Sequence, residues 1–303
     1  MAEPLVYLVP YLDGDWLGYG PLDPDMNFGI LPATRKEIDQ NLKIAVGFWK
    51  ERTGGKMVFG AHSGTYCREL FYEEPALQHY RDLIANGGEI AVHPHEERIN
   101  AGHMIGDLEH MRYIISWKRQ QLNDAGIRPT SLRLPYNGYV AGLTKIAEDN
   151  DLLVDMSAAT GFVRDYWSAN WKGAPATAFM LDYEDQTNPR AEGARRSRVL
   201  EIPMGWDGVA SKVGHYLFNE QIELDRLIAI WDATVERAKR DGPQMIYLLS
   251  HLHSMPDPEL YGRLSRLLDH ALSHSGVPVT PTEAYRIYPT IATQAAWVKE
   301  AVH

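Results

Sequence analysis

The sequence predicts an α/β chain closed into a (β/α) barrel, and three observations carry that prediction. Short apolar runs alternate with longer amphipathic ones along all 303 residues, the pattern of a parallel sheet with crossover helices. Seven or eight such units follow without a break, which favours a closed barrel over an open sheet. The length suits one barrel, and no repeat, low-complexity tract or long linker divides the chain. Residues 1–303 are therefore expected to form a single domain.

Taken in order, Leu5–Leu12 is the first expected strand and Arg35–Arg52 a helix capped near Thr34. A strand at Lys56–Ala61 and a helix from about Glu74 to Ala85 follow, and Gly87-Gly88 supplies the helix stop. A strand at Glu89–His93 leads into a helix around Ile105–Asp124, closed by Gly126. Ser131–Pro135 reads as a strand and Tyr139–Asp149 as a helix; Leu152–Met156, Ala178–Tyr183 and Val199–Pro203 read as further strands. A helix over Asn219–Arg240, a strand at Met245–Ser250, a helix at Pro258–Ser273 and a strand at Val277–Thr280 complete the series. The stretch Arg164–Arg198, rich in Trp, Asn, Arg and Gly, breaks this rhythm and is expected to form an elaborated loop.

Composition narrows the function classes. Asp and Glu number 40 against 30 Lys and Arg, a formal charge of −10, which argues against nucleic-acid or anionic-membrane partners because those need a basic face. Cys67 is the single cysteine, so an intrachain disulfide and a thiolate zinc site are both excluded. No apolar run approaches the roughly 18 residues of a membrane helix. The N-terminus reads as a first strand rather than a secretion signal, so a cytoplasmic location is expected. Of the 16 Tyr and eight Trp, most belong in the core, while a few could wall a sugar site.

Barrel chemistry sits at the C-terminal ends of the strands. The first strand ends in Asp13-Gly14-Asp15. That tripeptide is either an Asp-Gly turn or a base and a metal ligand side by side, with Gly14 letting the backbone approach a ligand. The third ends in His93-Pro94-His95-Glu96-Glu97. Residues two apart on a strand share a face, so His93 and His95 can point into one cavity as metal ligands. Pro94 keeps His93 extended. Glu97 replaces His95 as ligand if a helix begins at once; His95 is the preferred reading. Arg133, one step inside the rim, needs a carboxylate unless it reaches to solvent, and Asp13 is the natural partner. Such pairing would hold Asp13 ionised and oriented, as a general base requires. His251-Leu252-His253 ends a late strand; His251 is the expected general acid, with His253 in reserve.

Through these residues the chain resembles the polysaccharide deacetylase superfamily, the metal-dependent family-four carbohydrate esterases and their relatives. The likeness runs from Leu5 to about Tyr288. Asp13-Gly14-Asp15 is similar to the motif that supplies a catalytic base and then a metal-binding aspartate. Gly87-Gly88-Glu89-Ile90-Ala91-Val92-His93 resembles the lead-in to the metal histidine, and Arg133-Leu134-Pro135-Tyr136 matches Arg-x-Pro-Tyr. Leu152-Leu153-Val154-Asp155-Met156-Ser157 resembles the Asp-x-Ser strand, Leu248-Leu249-Ser250-His251 the closing Leu-x-His motif, and Val279-Thr280-Pro281-Thr282-Glu283 the terminal segment. The chain departs where the family carries a second histidine four residues after the first, a position held here by Glu97.

The resemblance implies an irregular (β/α) barrel of about seven strands. It implies that Arg133 orients the base and that the Tyr136 backbone N–H helps bind an oxyanion. The expected enzyme is a metal-dependent deacetylase or amidohydrolase acting on C–N bonds of an acylated carbohydrate or related small amide. A divalent metal, zinc in this reading, is held by Asp15, His93 and His95. The fourth position stays open for water, which Asp13 deprotonates while His251 protonates the departing amine. Two other readings keep the barrel: a metal-independent glycoside hydrolase using paired carboxylates such as Asp13 and Glu97, and a catalytically silent sugar-binding barrel.

Overall fold

Alternation along the strands sorts the side chains into two cores, and the site follows from which core each strand end joins. The computed structural model describes residues 5–14, 33–63, 68–95, 97–98, 102–187, 195–209 and 214–294. Their elements run β1 (Val6–Asp13), α1 (Arg35–Thr53), β2 (Val58–His62), α2 (Ala76–Ala85), β3 (Glu89–His93), β4 (Glu97–Arg98), β5 (Gly102–His103), α3 (Leu108–Asp124), β6 (Ser131–Leu132) and α4 (Leu143–Asp149). There follow β7 (Val154–Asp155), β8 (Val163–Arg164), β9 (Ala169–Asn170), β10 (Phe179–Asp182), β11 (Arg196–Glu201), α5 (Leu224–Asp241), β12 (Gln244–His251), α6 (Pro258–Ser273), β13 (Gly276–Pro278) and α7 (Pro281–Gln294).

The main sheet has the order β10-β11-β7-β6-β3-β2-β1-β12, with β13 also pairing β1. From β12 through β1, β2, β3, β6 and β7 to β11 every pairing is parallel. These seven strands are the irregular barrel that the sequence predicts. One strand breaks the expected pattern, because β10 runs antiparallel to β11. Closure is irregular too. The Tyr247 N–H donates to the Pro203 carbonyl at 2.9 Å, the Gly205 N–H to the Tyr247 carbonyl at 3.0 Å and the Ala178 N–H to the Met245 carbonyl at 3.0 Å. Backbone flanking β10 and β11 thereby joins β12 across the gap.

Local chemistry sets the element ends. Thr34 and Glu37 form a capping box at the start of α1, and Gly54 closes it in the left-handed conformation. Asp257 caps α6 through the Glu259 and Leu260 N–H groups, with Pro258 at the first turn. The bounds of β3 and α6 coincide with the expected ones. The expected strand Ser131–Pro135 shrinks to β6, because Pro135 brings no N–H to a ladder and opens a 3-10 turn, Pro135–Asn137. The helices expected from Tyr139 and Asn219 begin later, at Leu143 and Leu224. Within the expected loop region lie β9, β10 and the start of β11, whereas residues 188–194 lie outside the described ones. The helix α7 had no counterpart among the expected elements. Among the described residues no helix is long and apolar enough to cross a membrane.

On β1, Leu8 and Leu12 pack with the helices, whereas Val9 and Tyr11 join the inner cluster. Asp13 continues that inward series. The same parity carries Ala91 to His93, Val58 to His62, and Met245, Tyr247 and Leu249 to His251. Leu132 and Leu134 both face the helix layer, which turns Arg133 inward.

Gly14 has a packing role at the rim. Its N–H donates to the Gly60 carbonyl at 3.0 Å, and a Cβ there would lie 2.4 Å from the Gly60 oxygen and 3.0 Å from the His62 nitrogen. The glycine lets β1 and β2 close together at the rim. Gly14→Ala is expected to cost about 1–3 kcal/mol through overpacking, read as a lowered midpoint in thermal or denaturant unfolding.

Candidate active site

A buried carboxylate organises the rim. The Asp13 and Arg133 side chains are 1% and 5% exposed, and Arg133 Nη1 donates to Asp13 Oδ2 at 2.7 Å. Charges this deep need close partners, and Arg133 has several. Its Nη2 donates to Asn137 Oδ1 at 3.2 Å and its Nε to the Tyr247 hydroxyl at 3.5 Å. The Tyr11 and Tyr247 rings lie 5.5 and 6.0 Å from the guanidinium carbon, a cation–π environment. Burial alone would lower the Arg133 pKa, but Tyr247 and Asp13 beside it raise it above the ordinary value. The arginine does not reach to solvent.

His93 touches the other carboxylate oxygen, its Nε2 lying 3.0 Å from Asp13 Oδ1. Its Nδ1 is 2.8 Å from the Arg133 carbonyl, and since a carbonyl only accepts, Nδ1 carries the proton. Burial, only partly opposed by Asp13, lowers the His93 pKa to about 3, so the ring is neutral and Nε2 presents a lone pair. Nε2 is buried with no hydrogen-bond partner among the described residues, and a cation bound there would satisfy it, so His93 fits a metal ligand.

His95 is buried as well, and its N–H donates to the His93 carbonyl at 2.9 Å. The chain therefore turns at Pro94 instead of staying extended. The His95 ring nevertheless remains 5.3 Å from that of His93 and 4.8 Å from that of Tyr136, centroid to centroid. Among the described residues no helix follows β3 directly. Glu97 lies in β4 opposite His103, which removes the condition under which it was the alternative ligand; its side chain is outside the described residues. Asp15 also lies outside them. Among the described residues no three His, Cys, Asp or Glu side chains group as a metal site.

Two neighbours escape a sequence reading. His62 ends β2 in register with His93, buried, with its ring 6.2 Å from that of His93 and 5.6 Å from that of His95. Its signal was a histidine closing the apolar run Met57–Ala61. Glu220 had no local signal. It binds His251, which lies in register with Asp13: Glu220 Oε1 accepts from the His251 N–H and from Ser254 Oγ, both at 2.7 Å, and its Oε2 lies 3.2 Å from His251 Nδ1. Burial would raise the Glu220 pKa, but His251 and Ser254 hold it below the usual value. Nδ1 thus donates to Glu220, and Nε2 is directed toward Asp13 Oδ2 at 4.0 Å. The ring of the reserve histidine, His253, lies 5.3 Å from that of His251, tilted by 36°.

Tyr136 sits in the 3-10 turn with φ 56° and ψ 18°, a left-handed conformation that costs energy for a bulky residue. The segment before it is anchored from behind. The Leu134 N–H donates to Ser157 Oγ at 2.9 Å, and Ser157 Oγ in turn donates to Asp155.

No protein-family model matches this chain, and no curated protein matches its sequence. Solved structures do match. A protein assigned as a polysaccharide deacetylase from Mycobacterium smegmatis superposes with a TM-score of 0.59 at 14% identity, over 97% of this chain and 93% of that one. Another, from Pseudomonas aeruginosa PAO1, gives 0.58 at 13% identity over 94% and 91%. A protein assigned as a glycoside hydrolase/deacetylase from Parabacteroides distasonis gives 0.61 at 12% identity over 97% and 73%. The chain shares its fold with these structures.

Within this fold, the segment Asp155-Met156-Ser157 holds a further feature of the chain. Asp155 and Glu201 are register neighbours on β7 and β11, 1% and 0% exposed. Glu201 Oε1 accepts from the Ala158 N–H at 2.8 Å, while its Oε2 is buried with no hydrogen-bond partner among the described residues. Burial raises the pKa of both carboxyls, and Asp155 raises Glu201 further. The folded state therefore keeps a proton that the unfolded chain releases near pH 4–5, and stability falls as pH rises above that range. Glu201→Gln removes the Glu201 share of this dependence. The variant should gain stability relative to wild type at pH 8 and show no such gain at pH 4, as measured by denaturant unfolding at the two pH values.

Proposed function

We propose that this chain is a metal-dependent hydrolase that removes an acyl group, N-acetyl foremost, from a carbohydrate or related small amide. The observation that carries this reading is the single carboxylate Asp13, flanked by Arg133 and His93 within 3.0 Å and by His251 at 4.0 Å. Base, ligand imidazole and acid imidazole thus meet at one point on the barrel rim.

In this reading Asp13, held ionised by Arg133, takes the proton from the attacking water. The Tyr136 N–H donates to the oxygen on which negative charge develops, a contribution of about 3–4 kcal/mol where such donors are preorganised. His251, oriented by Glu220, gives a proton to the departing nitrogen. Asp15, His93 and His95 would hold a divalent cation, zinc foremost, which when bound polarises the carbonyl and lowers the pKa of water. Arg133 ties the parts together, because its guanidinium orients Asp13 while its carbonyl fixes the His93 tautomer. The polysaccharide deacetylase fold and the ordered motifs support an acylated sugar as the substrate class.

Asp13→Asn is expected to lower kcat on an N-acetylated substrate by about 10²–10⁴ while metal content, measured by elemental analysis, stays stoichiometric. Loss of metal together with turnover would exchange the roles of Asp13 and Asp15. A metal-free, fully active wild type would sink the proposal in favour of paired-carboxylate glycoside hydrolysis. Glu220→Gln is expected to lower kcat about tenfold or more with KM little changed, and to lose the single fixed tautomer of His251 in imidazole NMR spectra. An unchanged kcat would remove Glu220 from the site.

A further inference from the structure

The hairpin β8–β9 lies in and beside the stretch that broke the expected strand–helix rhythm, and the mechanism makes no use of it. Its contacts converge on one short loop. Tyr136 and Asn137 are consecutive left-handed residues with φ 56° and 53°, and Ser168 in the hairpin is a third at 51°. Backbone in this region persists only where its surroundings over-determine it. The hairpin supplies those surroundings. Trp167 stacks on the Tyr136 ring at 5.4 Å and 22°, and Phe162 stacks on Trp167 at 6.2 Å and 20°. Trp171 Nε1 donates to the Asn137 carbonyl at 2.7 Å, and the Tyr139 N–H donates to the Ser168 carbonyl at 2.9 Å. Between them Gly138 leaves no room, since a Cβ there would lie 2.4 Å from the Trp167 carbonyl oxygen and 2.4 Å from Ile105 Cδ1.

The braced loop is the one that touches the chemistry. Tyr136 contacts the His95 ring edge-on at 4.8 Å, and Asn137 Oδ1 accepts from both Arg133 at 3.2 Å and the Tyr247 hydroxyl at 3.3 Å. The Trp167 indole N–H is buried with no hydrogen-bond partner among the described residues, so stacking, aided by Arg164 at 5.5 Å from the ring centroid, orients that side chain. We propose that the β8–β9 hairpin is a brace, with Trp167 and Trp171 as positioning residues that hold Tyr136 and Asn137 in their left-handed conformation beside Asp13, His95 and Arg133. This inference rests on the proposed hydrolase only for its effect on rate.

The test compares Trp167→Ala, Trp167→Phe and Trp171→Phe in the full chain, by amide hydrogen exchange and by steady-state kinetics on an N-acetylated sugar. Exchange over residues 134–141 should speed up at least tenfold in Trp167→Ala and stay near wild type in Trp167→Phe, where the stack is kept. The β1, β3 and β12 amides should stay unchanged in both. In Trp167→Ala kcat should fall at least tenfold with KM within about twofold, and Trp167→Phe should restore most of it. Trp171→Phe keeps an aromatic ring but loses the indole N–H and part of the buried ring volume, and it should loosen the same amides if Trp167→Ala does not fold. Unchanged exchange over 134–141 in Trp167→Ala and Trp171→Phe overturns the brace, as does an equal loss of kcat in the Ala and Phe variants. A wild type without hydrolase activity removes the proposed function and leaves the exchange result to decide the brace.

Discussion

The rest of the rim depends on burying one ion pair, Asp13 with Arg133. Taking both charges out of water costs several kcal/mol per ion, and only near-complete hydrogen bonding and close charge partners recover it. Asp13 Oδ2 has the Arg133 guanidinium as its charge partner at 2.7 Å. Arg133 uses Nη1 on Asp13, Nη2 on Asn137 and Nε toward Tyr247, while two tyrosine rings line the guanidinium. Removing one partner leaves an uncompensated buried charge, which typically costs about 3–5 kcal/mol. The constraint explains why the residues around the pair are polar although they stand in the most buried part of the sheet.

That pair also couples parts of the site that sequence keeps apart. Arg133 faces Asp13 with its side chain and His93 with its carbonyl. A displaced β6 would therefore disturb the carboxylate and the imidazole tautomer together. Asn137 extends the coupling, because it accepts from Arg133 while its own carbonyl is held by Trp171. Asp155 reaches the same segment from the helix-facing side through Ser157 and the Leu134 N–H. Two separate supports thus meet on the four residues that follow Arg133, and neither contributes an atom to the carboxylate itself.

Much of the fold is legible in the sequence because barrel strands are buried on both faces and read as apolar runs. The strand β3 and the helix α6 are readable to the residue. The element β6 is less so, because Pro135 ends a ladder whose apolar pattern continues to Leu134. Asp13, His93, His95, Arg133 and His251 are visible for a physical reason: polar residues at the end of an apolar run are costly and therefore conspicuous. Glu220 is different. It sits in an irregular stretch, 31 residues before the histidine it orients, and only the third dimension joins them. Trp167 is equally silent, since a tryptophan in a polar loop looks like any exposed aromatic until its stack on Tyr136 is seen. The sequence singled out Asp155 but not Glu201, because their proximity comes from strand register.

The two oxygens of Asp13 divide the rim into unlike halves. On the Oδ1 side lies His93, neutral and presenting a lone pair, the half suited to a cation and to negative charge developing on a carbonyl oxygen. On the Oδ2 side lie Arg133 and, at 4.0 Å, His251, whose other nitrogen is tied to Glu220. Glu220 thus fixes the His251 ring with Nε2 on the Asp13 side. The proposed amide hydrolysis would draw on both halves: charge stabilisation on oxygen and a proton for nitrogen. Asp13 stands between the two needs, and Arg133 keeps it from being neutralised by either. The division requires only that β1, β3, β6 and β12 end together with inward parity, which a parallel barrel supplies.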